Sequence, residues 1–264
     1  MFLSSCGKKD VPTIRIYGST TLSPFISQAV LAYQKTRNVK FTIKATGSRD
    51  GIDSLISGCC DIAMSSMEIS PELMAHAKSN GVALKPFLLG YDAVIPIVNP
   101  KNAVSNISHE QLFNIYKGTI RNWSVLGGID TAIDVVDRSD ASGTYFIWHK
   151  DIVPPKETSD QFTTRESNSA VTAYVAEHNN AIGYTSAVFL NPELKALRLN
   201  GISITENDSL LSQYHLKRQL LLYVNDDKTD SEMRSFLTFL IISEQGRKLL
   251  REAGFFSNYT YGSL

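Results

Sequence analysis

Three short stretches constrain this chain more than anything else in it. GSTTL (18–22), TGSRDG (46–51) and RSDASGT (138–144) each follow a segment patterned as a strand and precede one patterned as a helix. Before the first, TIRIY (13–17) alternates Ile14 and Ile16 with polar neighbours. After it, FISQAVLAYQK puts Phe25, Ile26, Ala29, Val30 and Tyr33 on one helical face. KFTIKA (40–45), TGSRDG, the helical IDSLIS and the strand-like CDIAMSS repeat that order, and IDVVD (133–137) leads into the third loop. Strand, glycine–serine loop, helix, strand is the grammar of a parallel α/β layer. The fold class is therefore α/β.

Each loop places hydroxyls and glycines where a helix begins, next to backbone N–H groups that lack a partner. Those groups and the positive end of the helix dipole favour an anion. Glycine lets the backbone approach closely. Arg138 adds a forked, permanently charged donor that fits two oxygens of a tetrahedral anion. One such loop reads first as a helix cap, or as a serine-nucleophile turn. Three in one chain, one of them with arginine, favour anion binding, because a doubly wound sheet gathers such loops at the carboxyl ends of its strands.

The remaining segments fit this frame. Residues 82 to 98 carry two apolar runs separated by Gly90, and Ser108 and Gln111 have the spacing of a capping box, with Gly118 where that helix would end. SNSAVTAYVAEHNNAIGYTSAVFL reads as helix, turn and strand. LLLYVN (220–225) reads as a strand before two helical stretches, DSEMRSFLTFLII and SEQGRKLLREAG. The 26 basic and 26 acidic residues balance to a net charge of zero, which argues against a nucleic-acid partner. There is no Gly-x-Ser-x-Gly elbow and no His-Glu-x-x-His. His76, His109, His149, His178 and His215 are scattered without metal-ligand spacing, and His149 reads as a core or surface histidine of its helix. The chain reads as no enzyme, with no cofactor and no metal. No apolar run approaches the roughly 20 residues of a membrane span.

MFLSSCGKKD opens the chain with Cys6 behind Leu3-Ser4-Ser5. The box matches the end of a bacterial lipoprotein signal, in which the cysteine is lipidated, and it is also short enough to arise by chance. Residues 1–10 read as a tether. Cys59 and Cys60 are adjacent in an apolar context and read as buried free thiols.

GSTTL, TGSRDGI, DIAMSS, HEQLFNIYKGTIRNWSVLGG, RSDASGT and AIGYTS occur in an order that resembles phosphate-binding proteins of bacterial phosphate ABC importers, which are type II periplasmic solute-binding proteins. The similarity runs from about residue 13 to EQGRKLLREAGF, nearly the whole chain. It implies a two-lobed clamp, each lobe a mainly parallel sheet flanked by helices, joined by a two-segment hinge. Lobe I would take 11–90 and 187–264, and lobe II 91–186. Inorganic phosphate would lie between the lobes, for delivery to the permease subunits of an ABC importer. The protein would be a monomer in the periplasm or outside the cytoplasmic membrane, touching that membrane only through a lipid on Cys6. By the same resemblance Thr20 and Thr21 match the first phosphate-contacting loop, Ser48 the second and Ser66 a third contact. Arg138, Ser142, Gly143 and Thr144 match the contacts of the second lobe, and Asp140 the carboxylate that holds the arginine.

Two departures from the family's pattern bear on selectivity. Long members have an aspartate where this chain has Ser66, and it accepts the proton that phosphate carries. Shorter members have arginines where this chain has Met67 and Tyr145. Arg49 would restore some charge or be a solvated surface arginine; Asp50 would replace the missing acceptor or be an ordinary helix-start carboxylate. With serine at 66, the expectation is that phosphate wins with measurable competition from sulfate. Two other functions stay open from the sequence: binding of a different, sulfate-like oxyanion, and a phosphate sensor or surface protein without transport.

Overall fold

The computed structural model of the chain describes residues 11–159, 161–205 and 208–257. The tether expected over 1–10, with Cys6, lies outside them. β1 (Thr13–Gly18) alternates as its sequence does, turning Ile14 and Ile16 into the core. It is followed by α1 (Ser23–Tyr33), β2 (Lys40–Ala45), α2 (Ser48–Ile56), β3 (Ile62–Ser65) and α3 (Pro71–Ser79). β4 (Leu84–Val98) is a single strand of 15 residues where the sequence shows two runs parted at Gly90. The interruption is absorbed by a bulge in β4 itself and not by a turn: Leu220 pairs with Gly90 and Leu221 with Leu88, which leaves Leu89 as the extra residue.

The next elements are β5 (Asn106–Ile107), α4 (His109–Tyr116), β6 (Asp134–Arg138), α5 (Gly143–Asp151), β7 (Thr163–Arg165), α6 (Asn168–Glu177) and β8 (Ala181–Ser186). Ser108 caps α4 in the expected box. Its hydroxyl accepts the Gln111 N–H at 3.0 Å, and its own N–H donates to the Gln111 side chain at 2.8 Å. Short strands β9 (Lys195–Ala196) and β10 (Arg198–Leu199) lead to β11 (Lys217–Asn225), α7 (Ser231–Ile241), α8 (Glu244–Glu252) and β12 (Phe256–Ser257).

The main path of the sheet runs β2-β1-β3-β11-β4-β8-β6-β7. Pairing is parallel at each end, β1 with β2 and β3, and β6 with β7 and β8. In the middle it is antiparallel, β11 with β3 and β4, and β4 with β8. The two long antiparallel strands carry the chain between the lobes. On the first lobe's sheet the two-residue side-chain period splits into two faces. Ile16, Met64 and Leu222 pack with residues of α1, α7 and α8, while Ala63, Leu221 and Tyr223 pack with residues of α2 and α3.

The second lobe has one core, built on Ala93, Val94, Ile95, Ile97 and Val98 of β4 and on Trp148 and Tyr184, which stack with centroids 4.2 Å apart. That core also takes in Leu194, Leu199, Tyr214 and Leu216. The expected division assigned everything after 186 to lobe I; by core packing, the described residues of 194–205 and 208–216 go with lobe II. The cause is pairing: β9 adds to β4 at Ile97 and Val98, and β10 pairs with β5. The return crossing is β11. Of the two adjacent thiols, Cys60 is buried, with its pKa pushed up to about 12 by that burial, whereas Cys59 is exposed.

Candidate functional site

The three loops meet where the lobes meet. Gly47 has φ 108°, a left-handed conformation that glycine tolerates, and α2 starts at the next residue. Ser48 therefore faces inward. Ser66 N–H donates to Ser48 Oγ at 3.1 Å, the two hydroxyl oxygens are 3.3 Å apart, and Ser19 Oγ donates to Ser66 Oγ at 3.2 Å. All three serines are buried. Arg49 and Asp50 come one and two positions later on the helix, each turned by about 100°, and both are exposed. Arg49 meets the second lobe through its backbone N–H, which donates to Ala141 O at 3.2 Å. Asp50 is a first-turn carboxylate, its pKa raised by partial burial and by Asp53 and Asp140 nearby.

The second lobe contributes Arg138, the last residue of β6, which is 2% exposed. Its Nε donates to Arg165 O at 3.1 Å, Nη2 to Glu166 O at 3.0 Å and Nη1 to Asn168 Oδ1 at 2.8 Å. Nη2 also reaches Thr20 Oγ1 in the first lobe at 3.5 Å. All of these acceptors are neutral, so the guanidinium is held in place without being neutralised. Burial pushes its pKa down to about 10, and Arg218 nearby acts in the same direction. It remains a cation at neutral pH. Asp140 does not hold it: that residue is exposed in the turn beyond β6 and makes no hydrogen bond or ion pair with Arg138 among the described residues. Asp137 accepts the Arg138 backbone N–H at 2.8 Å, but its side chain, one residue away on the strand, points to the opposite face.

Ser142 caps α5, its Oγ accepting the Thr144 N–H at 3.1 Å and the Tyr145 N–H at 3.3 Å. Capping and ligand binding are compatible, since the hydroxyl proton is left to donate. A Cβ on Gly143 would stand 2.4 Å from Ser66 Oγ and 2.6 Å from Ser48 Oγ. Only glycine lets this helix end press onto the first lobe's hydroxyls.

Four residues join the cluster that the motif reading did not single out: Ser19, Asn168, Asp92 and Arg218. Asn168 Nδ2 donates to Thr21 Oγ1 at 2.8 Å while its Oδ1 accepts from Arg138, so it ties the lobes together. Arg218 of β11 donates through Nη1 to Thr144 Oγ1 at 2.9 Å and through Nη2 to Thr21 Oγ1 at 3.2 Å. Asp92 lies directly opposite it on β4, and both side chains are buried. A signal for this pair was present: Asp92 is the one charged residue between Lys85 and Lys101. A carboxylate in so apolar a run requires a buried partner. Ser19 sits in a loop already singled out, and Asn168 carried no signal.

Guanidinium groups, hydroxyls and a helix N-terminus thus converge from two lobes, while no three His, Cys, Asp or Glu side chains among the described residues gather as metal ligands. The model of the PBP superfamily domain matches residues 4–245. Phosphate-binding protein PstS of Borreliella burgdorferi is 30% identical over 267 residues, covering 96% of this chain and 93% of the relative. The chain belongs to the phosphate-binding-protein family. PstS of Bacillus subtilis is 25% identical, over 92% of this chain and 80% of its own. Among solved structures, one from Clostridium perfringens, presented as a phosphate ABC transporter substrate-binding protein with bound phosphate, is 28% identical with a TM-score of 0.85. It covers 93% of this chain and 99% of that one. An ABC-type phosphate transport receptor from Vibrio cholerae, also 28% identical, has a TM-score of 0.75 over 92% of this chain and 99% of its own. The fold is accordingly that of the two-lobed type II solute-binding proteins, and this is a family of binding proteins and not of enzymes.

Proposed function

We propose that the protein binds inorganic phosphate with high affinity in the cleft between its lobes and delivers it to the permease of an ABC importer. The observation that carries this reading is Arg138, a buried cation held only by neutral acceptors and surrounded by hydroxyls of both lobes. Burying a charge costs several kcal/mol unless something of opposite sign is supplied, and a doubly charged oxyanion supplies it. Thr20, Thr21, Ser48, Ser66, Ser142 and Thr144 would donate to its oxygens, with the Gly143 N–H at the helix end. The lobes close because these groups come from both, so the ligand's free energy is the free energy of closure. Delivery to an importer, work as a monomer outside the cytoplasmic membrane and attachment through a lipid on Cys6 extend the reading; delivery draws support from the relatives' names. Among the described residues no helix is long and apolar enough to cross a membrane.

A panel of oxyanions in thermal melts tests the ligand. Phosphate is expected to raise the Tm of the stripped protein more than equal concentrations of sulfate, molybdate or nitrate, and no shift with phosphate would remove the proposal. Radiolabelled phosphate uptake by cells carrying the cognate permease, with and without this protein, tests delivery; equal uptake would confine its role to binding.

A further inference from the structure

The Arg218–Asp92 pair contains an atom that the phosphate contacts leave unused. Arg218 spends two N–H groups on one carboxylate oxygen, Nε and Nη2 donating to Asp92 Oδ2 at 2.9 and 2.7 Å. Asp92 Oδ1 is also buried and has no hydrogen-bond partner among the described residues. Nearly all buried polar atoms are satisfied, and an unsatisfied charged acceptor carries the full cost of its desolvation. The pair stands on the floor of the cleft, where β4 and β11 pass between the lobes. Through Arg218 it touches Thr21 from one lobe and Thr144 from the other.

Every other side chain in the cluster is able to donate: guanidinium N–H groups only donate, and hydroxyls do either. Asp92 Oδ1 only accepts. A site made of donors attracts any tetrahedral anion by charge. A fixed carboxylate oxygen beside those donors favours an anion that brings a proton and repels one that brings none. We infer that Asp92 Oδ1 reads the ligand's proton, so that the cleft selects a singly protonated tetrahedral oxyanion over an unprotonated one. Arg218 is the positioning residue that holds the carboxylate fixed through its two hydrogen bonds to Oδ2. The inference rests on phosphate binding in this cleft as proposed. It takes the acceptor role away from Ser66, whose hydroxyl is engaged with Ser19 and Ser48, and from Asp50, which is exposed.

Three anions of similar size and charge separate the cases: hydrogen phosphate, sulfate, and monofluorophosphate, which has fluorine where hydrogen phosphate has its hydroxyl. Calorimetric titrations at fixed ionic strength, needed because salt screens anion binding, compare wild type with Asp92→Asn. Wild type is expected to prefer phosphate over both others by about 100-fold or more, the order of one buried charge-assisted hydrogen bond. In Asp92→Asn the preference is expected to shrink to within about 10-fold, with phosphate weakening while sulfate strengthens. A mere counter-ion for Arg218 would move all three ligands in one direction; unchanged ratios therefore overturn the inference. Because the single substitution leaves Arg218 unpaired, the double variant Asp92→Leu/Arg218→Leu, which removes both buried charges together, is titrated beside it. The same loss of discrimination is expected there. Wild type also decides the matter without any variant: monofluorophosphate binding as tightly as phosphate overturns the inference. A wild type that binds none of the three fails in a different way, by removing phosphate binding itself.

Discussion

Replacing Gly143 with alanine should separate closure from folding. The added Cβ would lie 2.4 Å from Ser66 Oγ and 2.6 Å from Ser48 Oγ, where ordinary contact begins at 3.4 Å. Both obstacles belong to the first lobe and Gly143 to the second, so the strain is relieved by holding the cleft open by about 1 Å. The isolated second lobe has no reason to suffer. Gly143 has no positive φ, and alanine is the better helix former by up to about 1 kcal/mol. An opening of about 1 Å takes a 2.9 Å hydrogen bond out of range. Losing two charge-assisted contacts at about 1.5 kcal/mol each weakens phosphate binding by roughly 100-fold. Calorimetry would read that loss, and thermal melting without phosphate would read an unchanged or slightly raised Tm. Small-angle scattering would show less compaction on adding phosphate than in wild type. Wild-type affinity in Gly143→Ala would refute the cross-cleft packing on which the closed site depends.

Arg138→Ala should cost about 3–5 kcal/mol of phosphate binding, or about two to three and a half decades in Kd, read by calorimetric titration. The same arginine sets a pH limit. Burial lowers its pKa in the fold from the ordinary guanidinium range to about 10, so phosphate affinity should hold through neutral pH and fall as pH rises through that value. For stability the sign is reversed: a cation whose folded pKa is depressed burdens the ligand-free fold below about 10, and that burden lifts as pH climbs from there toward the ordinary guanidinium range. Melting curves against pH, with and without phosphate, should therefore converge at the alkaline end. Trp123 and Trp148 are both fully buried in the second lobe's core, Trp148 stacked on Tyr184, so closure should leave intrinsic fluorescence almost unchanged even where scattering changes. Ser108→Ala should lower stability by about 1 kcal/mol through loss of the α4 cap, measured by denaturant unfolding, without altering phosphate affinity.

The periodic and local features were legible in the sequence because their causes are local. The alternation of Ile14 and Ile16, the Ser108–Gln111 box and the glycine–serine loops each rest on neighbours within one turn or one strand. Ser48, Ser66, Arg138, Gly143 and Thr144 were found through loop chemistry and ordered motifs, and the structure gathers them in one cluster. What holds Arg138 was not legible. Its partners are two backbone carbonyls and an asparagine about 30 residues away, and a carbonyl has no signature in sequence. Asp140 matched the family's arginine-holding carboxylate by motif position, but a strand end followed by a turn carries it outward. The extent of lobe II was misjudged for a similar reason. Residues 194–205 and 208–216 join it through β9 and β10, each only two residues long, too short to show a period. Asp92 and Arg218 announced a buried charge pair only through their apolar surroundings; that they face the same cleft required the register of β4 against β11.

The most direct test of phosphate binding in the closed cleft is a calorimetric titration of the protein after stripping by unfolding, dialysis and refolding. One phosphate per chain is expected, with a Kd of about a micromolar or tighter. Binding should be weakened in both Arg138→Ala and Gly143→Ala, although one removes charge and the other only adds a methyl group at the lobe contact. Absence of binding, a stoichiometry other than one, or phosphate affinity indifferent to both substitutions would contradict it.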